Sequence, residues 1–311
     1  IYGLGLSGLA ALNKLKNEKN IFIWDDSEKK RKELEKQGYH FLDPRDWPWE
    51  NIDLLISSPG IPINFGMNSF IIKKSKKNNI KIVGDIEVFY QEFLNFKNKK
   101  IIAITGTNGK STFTNVLYEI LSKSGLKVSL GGNIGIPALS LDINEYDIII
   151  FEISSFQLEL IEDFKADIAI LLNITEDHAD RYKSFEDYQK TKIKIFLNQK
   201  DEDYAILDNT YLSKTLLDEI NPLPRKIYFN ELKTNVSNTN INNNKILKNI
   251  LPALINVTDI LKIDRDFVID ELSNYKNLNH RINEICSVNG INFINDSKAT
   301  NPAAANFAIN Q

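Results

Sequence analysis

This chain of 311 residues has little cysteine, no long apolar run and little net charge, and each of these features excludes a class of structure or partner. It has a single cysteine, Cys286, which rules out an internal disulfide and indicates a reducing cytoplasm. It has no apolar run of the roughly 18 residues that a membrane-spanning helix needs. Its net charge is only −3, with basic and acidic residues interspersed. We therefore expect neither nucleic acid nor a membrane as a partner.

Short β-branched runs alternate with helical patterns, which predicts an α/β fold with parallel sheets. The length allows about two or three domains. We predict a Rossmann-like first domain over 1–94, a central parallel-sheet domain over 95–278 and the beginning of a third α/β domain over 279–311. Strands are predicted at 21–24, 54–56, 80–83, 101–105, 128–130, 147–151, 168–172, 205–207 and 227–229, and helices at 28–37, 111–124 and 185–198.

Two regions resist a simple assignment. Residues 230–249 are rich in asparagine, and we predict loops or edge strands there. The chain begins with Ile1 instead of methionine and stops inside an alanine-rich, helix-like stretch. We therefore expect a fragment that lacks the extreme N-terminus and most of the third domain.

The most informative motif is a glycine-rich turn between an apolar run and a helical pattern. Its spacing departs from the usual G-x-x-x-x-G-K-[ST] loop, because position 104 is Ile instead of Gly. Backbone N–H groups and a helix N-terminus form a cradle for phosphates, a lysine adds charge, and a hydroxyl can ligate Mg²⁺. The motif predicts an ATP site made by Gly106, Thr107, Asn108, Gly109, Lys110, Ser111 and Thr112.

Polar side chains also follow two other predicted strands of this central unit. Glu152 follows one strand, with Gln157 shortly after it, and Asn173 and His178 follow the next. Ligands bind at the carboxyl ends of parallel strands, so we expect these groups to converge on one crevice. Glu152 is then a candidate Mg²⁺ ligand. Helix capping is the alternative for Glu152, and a capping or surface position is the alternative for His178.

The opening GLGLSG at 3–8, followed by a strand ending in Asp25, fits a diphosphate-binding turn. Two nucleotide sites in consecutive domains favour a ligase or kinase. An NAD-dependent oxidoreductase is the alternative, but it leaves the second loop, Glu152 and His178 without a role.

The motifs together resemble the Mur ligases of peptidoglycan synthesis, in particular the branch that adds D-glutamate. The matching segments, in family order, are GLGLSG (3–8), SPGI (58–61), GDIE (84–87), ITGTNGKST (104–112), GGNIGIPAL (131–139), SSFQLE (154–159), NITEDHADRY (173–182), HR (280–281) and INDSKAT (294–300). The resemblance implies an ATP-dependent ligase that joins D-glutamate to UDP-N-acetylmuramoyl-L-alanine through an acyl phosphate. It also implies a cytoplasmic enzyme, and we expect a monomer.

The resemblance assigns roles to individual residues. Lys110 would grip the β- and γ-phosphates, with Ser111 and Glu152 on one Mg²⁺. His178 and a carbamylated lysine would hold a second Mg²⁺. The family's lysine matches Lys192, although the residues alone do not choose it over Lys190 and Lys194. The remaining implied contacts are Asn249, Arg281 and Asp296 for ATP, Leu6, Ser7, Asp25, Asp26 and Gly60 for UDP, Asn133 and Gln157 for the sugar-peptide part, and Lys298 and Thr300 near D-glutamate.

Three departures from the family pattern qualify these expectations. Pro252 stands where the family has an asparagine that contacts adenosine, so weaker ATP binding is expected. Asp26 and Ser27 stand where relatives often carry Thr and Arg. With most of the third domain absent, poor turnover is expected. A degenerate ligase-like nucleotide-binding protein is therefore a further alternative, while the UDP-type first domain disfavours a folylpolyglutamate synthase.

Overall fold

The computed structural model describes residues 1–17, 20–64, 69–231, 241, 244–275 and 278–309. Within these ranges, the strands form a small parallel pair, a six-stranded parallel sheet and an antiparallel hairpin, in that order along the chain. The strands are β1 (Leu54–Ile56), β2 (Lys81–Val83), β3 (Lys100–Thr105), β4 (Val128–Gly132), β5 (Ile148–Glu152), β6 (Ile168–Leu171), β7 (Tyr204–Leu207), β8 (Arg225–Tyr228), β9 (Asn283–Val288) and β10 (Ile291–Asn295).

Helices flank these sheets. The described α-helices are α1 (Leu6–Leu15), α2 (Glu28–Glu35), α3 (Phe70–Lys77), α4 (Asp85–Phe93), α5 (Lys110–Lys123), α6 (Ser155–Leu158), α7 (Phe185–Ile193), α8 (Lys214–Glu219), α9 (Lys245–Ile260), α10 (Arg265–Ser273) and α11 (Pro302–Ile309). Short 3₁₀ turns include Pro44–Asp46, Trp49–Asn51, Ala138–Ser140, Ile143–Glu145, Lys194–Phe196, Asn209–Tyr211 and Phe229–Glu231. None of the described helices has the length and apolarity needed to cross a bilayer.

The central sheet has the order β4-β5-β3-β6-β7-β8, and all its pairings are parallel. Its four inner strands, β5, β3, β6 and β7, are mostly apolar and rich in isoleucine, as expected for strands that are buried on both faces. Alternate residues of β3 enter different cores: Ile101 and Ala103 on one face, Ile102 and Ile104 on the other. The phosphate-loop strand therefore lies at the centre of the molecule.

The first unit shares a core with one face of this sheet. Leu4 and Ala10, from the start of the chain, belong to the same buried cluster as Ala103 and Phe151. Helix α1 packs against the Ala138–Ser140 turn of the central unit. The other face of the sheet is covered by α5, α9 and α10. The first unit is thus fixed beside the carboxyl ends of the central strands.

The predicted strand at 21–24 is wrong. Only Trp24 pairs there, through a single bridge to Tyr2, which also bridges Ser57. The bridge is parallel, so residues 21–23 would need partners on the N-terminal side of Tyr2, where the described chain has only Ile1. The helix predicted at 28–37 ends at Glu35, and the one predicted at 185–198 ends at Ile193 and continues as a 3₁₀ turn.

A helix begins inside the asparagine-rich region, where we predicted loops or edge strands. Helix α9 begins at Lys245, where Asn244 caps the N–H groups of Ile246 and Leu247. The part of the 230–249 prediction at 232–240 and 242–243 lies outside the described residues. Pro252 sits inside α9, although proline is unfavourable in a helix interior.

The last unit consists of the β9–β10 hairpin followed by α11. The hairpin exposes a set of large apolar side chains, which we call the hairpin apolar face: Ile285, Val288, Ile291, Phe293 and Ile294. The register shift between Phe293 and Ile294 shows a bulge in this hairpin.

Candidate nucleotide and metal site

The phosphate loop connects β3 to α5 and needs glycine at two positions. Gly109, directly before α5, has φ +81°, a left-handed conformation that glycine adopts without strain. A Cβ on Gly106 would lie 3.2 Å from the Leu172 Cβ. The loop therefore passes close to the end of β6, and its N–H groups precede a helix N-terminus that favours anions.

Hydrogen bonds from the neighbouring segment hold the loop in shape. Asn108 N–H donates to Asn173 Oδ1 at 2.9 Å, and Asn173 Nδ2 donates back to the Asn108 carbonyl at 2.9 Å. The Thr107 hydroxyl lies 3.1 Å from the Tyr188 hydroxyl and accepts from Thr175 N–H at 3.0 Å. The loop is thus pre-organised by polar contacts from β6 and α7. Ser111 and Thr112 follow it in the first turn of α5.

Lys110 folds over the loop that precedes it. Its Nζ donates to the carbonyls of Gly106 at 2.8 Å and Thr107 at 2.9 Å. Burial lowers the pKa of Lys110, while the negative charges of Glu152 and Asp177 raise it. The amine therefore lies above the loop, within electrostatic range of two carboxylates.

Glu152 is the last residue of β5 and is buried. Its Oε1 accepts from Asn133 Nδ2 at 2.8 Å, whereas Oε2 meets no hydrogen-bond donor among the described residues. A buried carboxylate oxygen without a partner is costly, and a divalent cation would satisfy it. The helix-capping alternative for Glu152 is wrong, because Ser154 and Gln157 form the capping box of α6.

His178 occupies a turn after β6 with φ +53°. Its ring lies 4.7 Å from the Phe156 ring and 6.0 Å from the Tyr188 ring, measured between centroids. Burial lowers the pKa of His178, which favours the neutral imidazole that binds metals. The ring is partly exposed on the crevice side, next to Asp177.

The structure separates Lys192 from its two neighbouring lysines. Lys192 is fully buried, and its Nζ donates to the Gly106 carbonyl at 2.8 Å. Burial, followed by repulsion from Lys110, lowers its pKa well below the usual value. Lys190, by contrast, is exposed and forms ion pairs with two glutamates, and Lys194 lines a cavity on the outer side of α7. Only a neutral amine reacts with CO₂, so burial suits Lys192 to carbamylation.

Lys110, Glu152, His178 and Lys192 therefore meet around one phosphate loop. Strand ends led to this expectation for the loop, Glu152 and His178, whereas only the family resemblance implied Lys192. Within the described ranges, no three or more His, Cys, Asp or Glu side chains gather into a metal-binding group. A cation held here would take Glu152 together with hydroxyl and phosphate oxygens. That combination fits Mg²⁺, which normally binds one or two carboxylates and substrate phosphates.

The first unit contributes a cavity of about 580 Å³. Of the residues expected around UDP, Asp26 and Gly60 line it, together with Tyr2, Trp24, Arg45 and Phe70. Asp26 accepts from the Tyr2 hydroxyl at 2.5 Å and from Trp24 Nε1 at 3.1 Å. These bonds orient the Asp26 carboxylate at the cavity wall.

The other expected UDP residues have different surroundings. Asp25 uses both carboxylate oxygens on backbone N–H groups, those of Leu4 at 2.7 Å and Ser27 at 2.9 Å. Leu6 is exposed at the start of α1, with 81% of its surface accessible. Ser7 faces Asp85, a buried acid at the start of α4 that also faces Gln157. Sequence reasoning missed Asp85, although it lies within the GDIE segment.

The last unit reaches the phosphate loop through Asn301, which sequence reasoning also missed. Its side chain donates to Asn108 Oδ1 at 3.0 Å and to Asp177 Oδ2 at 3.2 Å. Asn301 also caps α11, and the Asn-Pro pair at a helix start was its only sequence signal.

The remaining predicted residues are placed more loosely. Arg281 is close enough to depress the pKa of Lys110, and Asp296 accepts from Ile282 N–H at 3.1 Å. Lys298 and Thr300 are exposed near the Asn301 contact, and Asn249 is exposed on α9. For these three side chains the structure gives no contact with the phosphate loop.

Comparison with known proteins decides the family. Residues 104–251 match the Mur ligase middle domain. A UDP-N-acetylmuramoylalanine–D-glutamate ligase of Rickettsia prowazekii is 35% identical, in an alignment that covers 98% of this chain and 72% of that protein. The chain belongs to the Mur ligase family. The enzyme of the same name from Thermoanaerobacter sp. is also 35% identical, over 99% of this chain and 73% of its own length.

Solved structures show the same fold. The Mur ligase MurF of Thermotoga maritima, in complex with ADP, aligns with a TM-score of 0.58 and 18% identity over 85% of this chain and 75% of its own. A bifunctional folylpolyglutamate synthase/dihydrofolate synthase with Mn, AMPPNP and L-glutamate aligns with a TM-score of 0.55 and 17% identity, over 73% and 69% of the two chains. The predicted α/β fold is confirmed. The oxidoreductase alternative is set aside in favour of an ATP-dependent, amide-forming Mur ligase.

Proposed function

We propose that this Mur ligase joins D-glutamate to UDP-N-acetylmuramoyl-L-alanine at the expense of ATP, in cytoplasmic peptidoglycan precursor synthesis. The observation that carries the proposal is the convergence of Lys110, the unpartnered Glu152 oxygen and buried Lys192 on one phosphate loop. Two relatives that are 35% identical to this chain are named as this ligase, and their alignments cover nearly the whole chain.

The geometry supports a division of labour in phosphoryl transfer. The loop N–H groups and Lys110 would bind the ATP phosphates. Ser111 and Glu152 would bind one Mg²⁺, and His178 with carbamylated Lys192 would bind a second. When bound, these ions neutralise charge on the transferring phosphoryl group. Positioning and electrostatics are most of what phosphoryl transfer requires, so this residue set suits it.

The chemistry proceeds in two steps. A carboxylate oxygen of the UDP-substrate attacks the γ-phosphorus, the bond to the β-phosphate oxygen breaks, and ADP leaves. The amine nitrogen of D-glutamate, having lost a proton, then attacks the acyl carbon, and phosphate leaves as the amide forms. Arg281 and Asp296 would approach ATP from the last unit, with Lys298 close by and Asn249 on the adenosine side. Thr300 would face D-glutamate.

The substrate would span the first and central units. The cavity bounded by Asp26 and Gly60 would take the uridine end, with Leu6, Ser7 and Asp25 beside the diphosphate. Asn133 and Gln157 would contact the sugar-peptide part. We propose the domain limits 1–94, 95–278 and 279–311, and a monomer without nucleic-acid or membrane partners. We propose a cytoplasmic location, in keeping with the small-molecule substrates proposed here.

An ADP-release assay with UDP-N-acetylmuramoyl-L-alanine, run on a protein that carries this sequence at the full length of its relatives, tests the proposal. D-glutamate should stimulate ADP release, and other amino acids should not. Lys110→Ala should lower kcat by about 10²-fold or more, because a preorganised charge on the transferring phosphoryl group is lost. Lys123→Ala, at the exposed far end of the same helix, is the matched control and should leave turnover unchanged.

Two results would contradict the proposal. One is ADP release that does not depend on D-glutamate. The other is nucleotide binding without any turnover in the presence of all substrates, which would favour a degenerate ligase-like binding protein.

A further inference from the structure

A buried arginine joins the first and central units. Arg181 lies in the turn after His178, and only 7% of its surface is accessible. Its guanidinium donates to three carbonyls of the first unit: those of Pro59 at 3.1 Å, Gly60 at 3.2 Å and Ile61 at 3.1 Å. One side chain thus holds three consecutive peptide groups of the opposite unit.

The same guanidinium is also tied to the central unit. It forms an ion pair with Glu159, in which Nε donates to Oε1 at 3.1 Å and a terminal nitrogen donates to Oε2 at 2.9 Å. Glu159 is itself buried and follows directly on α6, the helix that carries Gln157. The charge of Arg181 is therefore compensated, and its position is fixed from both sides.

The contacts of Arg181 connect two parts of the site. Gly60 lines the cavity proposed for the uridine end. The Phe156 ring lies 4.5 Å from the Arg181 guanidinium and 4.7 Å from the His178 ring. The backbone N–H of Arg181 donates to the His178 carbonyl at 2.9 Å. Arg181 therefore lies between the UDP cavity and the phosphate-transfer site.

We propose that Arg181 is a positioning residue, which fixes the position of the UDP-substrate loop at 59–61 relative to the His178 turn. The inference rests on the proposed function, because the relative position of these two segments affects catalysis only if one substrate spans both units. A shift of the 59–61 loop would move the substrate carboxylate away from the γ-phosphate, and small displacements of reacting groups cost large factors in rate.

Lysine does not replace arginine here. Arginine presents five N–H donors in a planar fork, and the Arg181 fork serves one carboxylate and three carbonyls at once. A lysine has three donors on one nitrogen and cannot reach both sets. Arg181→Lys therefore keeps the charge beside Glu159 and removes the bridge.

The test separates binding of the two nucleotides. In Arg181→Lys, affinity for UDP-N-acetylmuramoyl-L-alanine should fall by about tenfold or more, and kcat should fall with it. Affinity for a non-hydrolysable ATP analogue should stay within about twofold, because the phosphate loop is anchored by other residues. Isothermal titration with each ligand, beside steady-state kinetics, gives both readouts.

A matched control removes a buried ion pair elsewhere. Lys165 Nζ lies 2.7 Å from Asp203 Oδ1 at the amino ends of β6 and β7, away from the site. Asp203→Asn should lower the melting temperature and leave both affinities unchanged. If it weakened UDP-substrate binding as much as Arg181→Lys does, Arg181 would have only a structural role.

A second variant guards against misfolding. Arg181→Met combined with Glu159→Leu removes both buried charges together, which proteins tolerate better than removing one. This double variant should melt near the wild-type temperature and still bind the UDP-substrate weakly. Wild-type affinity in either Arg181 variant would overturn the inference alone, whereas a wild-type protein that fails to bind the UDP-substrate would overturn the proposed function and this inference with it.

Discussion

Glu152 has one carboxylate oxygen bonded to Asn133 and the other buried without a donor among the described residues. Glu152→Gln keeps the shape and the bond to Asn133 but removes the charge. We expect the Mg²⁺ concentration for half-maximal activity to rise by about tenfold or more, because carboxylate is the preferred ligand of this ion. Metal titration of ADP release measures the shift.

A control for this experiment is Glu119→Gln, which changes an exposed acid on α5. It should leave the Mg²⁺ dependence unchanged. An unaltered Mg²⁺ dependence in Glu152→Gln would show that the unpartnered oxygen does not bind the ion.

Asp85 is a second buried acid whose oxygens meet no donor in hydrogen-bonding geometry among the described residues. Burial raises its pKa, which the nearby Ser7 hydroxyl, helix N–H groups and Gln157 lower only in part. Wild-type stability should therefore decrease as pH rises from the unfolded pKa of 3.8 through the raised folded value. Asp85→Asn removes this loss, so its advantage over wild type should grow with pH.

Urea unfolding of both proteins between pH 4 and pH 8 measures that difference. Glu87→Gln, on the same helix, is the comparison variant, because Glu87 is a buried acid that does accept hydrogen bonds. Glu87 accepts from the backbone N–H groups of Glu162, Asp163 and Phe164, and its substitution should cost about 1–3 kcal/mol through lost acceptors. Parallel stability profiles for wild type and Asp85→Asn would contradict the burial argument.

At the scale of single elements, α9 contains the most unusual substitution of this chain. Pro252 has no N–H to donate to the Lys248 carbonyl, yet its neighbours Leu251 and Ala253 are buried against the sheet. Packing therefore keeps the helix in place despite the proline. Pro252→Ala should raise the free energy of unfolding by about 1–3 kcal/mol. Part of this gain is offset, because proline restricts the unfolded chain and alanine does not.

Denaturant titration checks this value, with Lys248→Ala on the exposed side of α9 as a control expected to change stability by under about 0.5 kcal/mol. A loss of stability in Pro252→Ala would show that the fixed proline backbone suits α9. The expected weakening of ATP binding by Pro252 stays a prediction, and ATP titration of Pro252→Asn addresses it.

The sequence predicted the features that depend on neighbouring residues better than those that depend on residues remote along the chain. Isoleucine-rich strands and the loop at 106–109 follow from short-range pattern, so they were predicted well. The 21–24 strand prediction failed because, in the parallel register set by Tyr2 and Trp24, residues 21–23 have only Ile1 opposite them. Burial in three dimensions, which a single sequence does not reveal, distinguishes Lys192 from Lys190. Arg181 escaped notice for the same reason, since its partners at 59–61 are remote along the chain.

At the scale of the whole molecule, the first and central units have a common core, while the last unit is a hairpin with its apolar side chains exposed. The first two units should therefore unfold together in one calorimetric transition, with calorimetric and van't Hoff enthalpies that agree. Two separate transitions for these units in scanning calorimetry would contradict the common core.

The hairpin apolar face should behave differently in solution. Exposed apolar strands are prone to self-association. The proposed monomer refers to a protein of the relatives' full length, of which this chain covers about 72%. Residues 1–311 alone should show concentration-dependent association in sedimentation velocity, and Phe293→Lys with Ile291→Lys should reduce it. Lys298→Glu, a polar change beside the hairpin, is the control. Unchanged association in the double lysine variant would assign the contact to another surface.

The common core also limits how this enzyme can be recombined with its relatives. Leu4 and Ala10 pack with Ala103 and Phe151, which belong to strands on the far side of the proposed boundary at 94/95. A chimera spliced at that boundary would bring together two half-cores selected in different proteins. Donor fragments would have to be matched in side-chain volume at these positions, and a cut in the sequence would not by itself yield an exchangeable module.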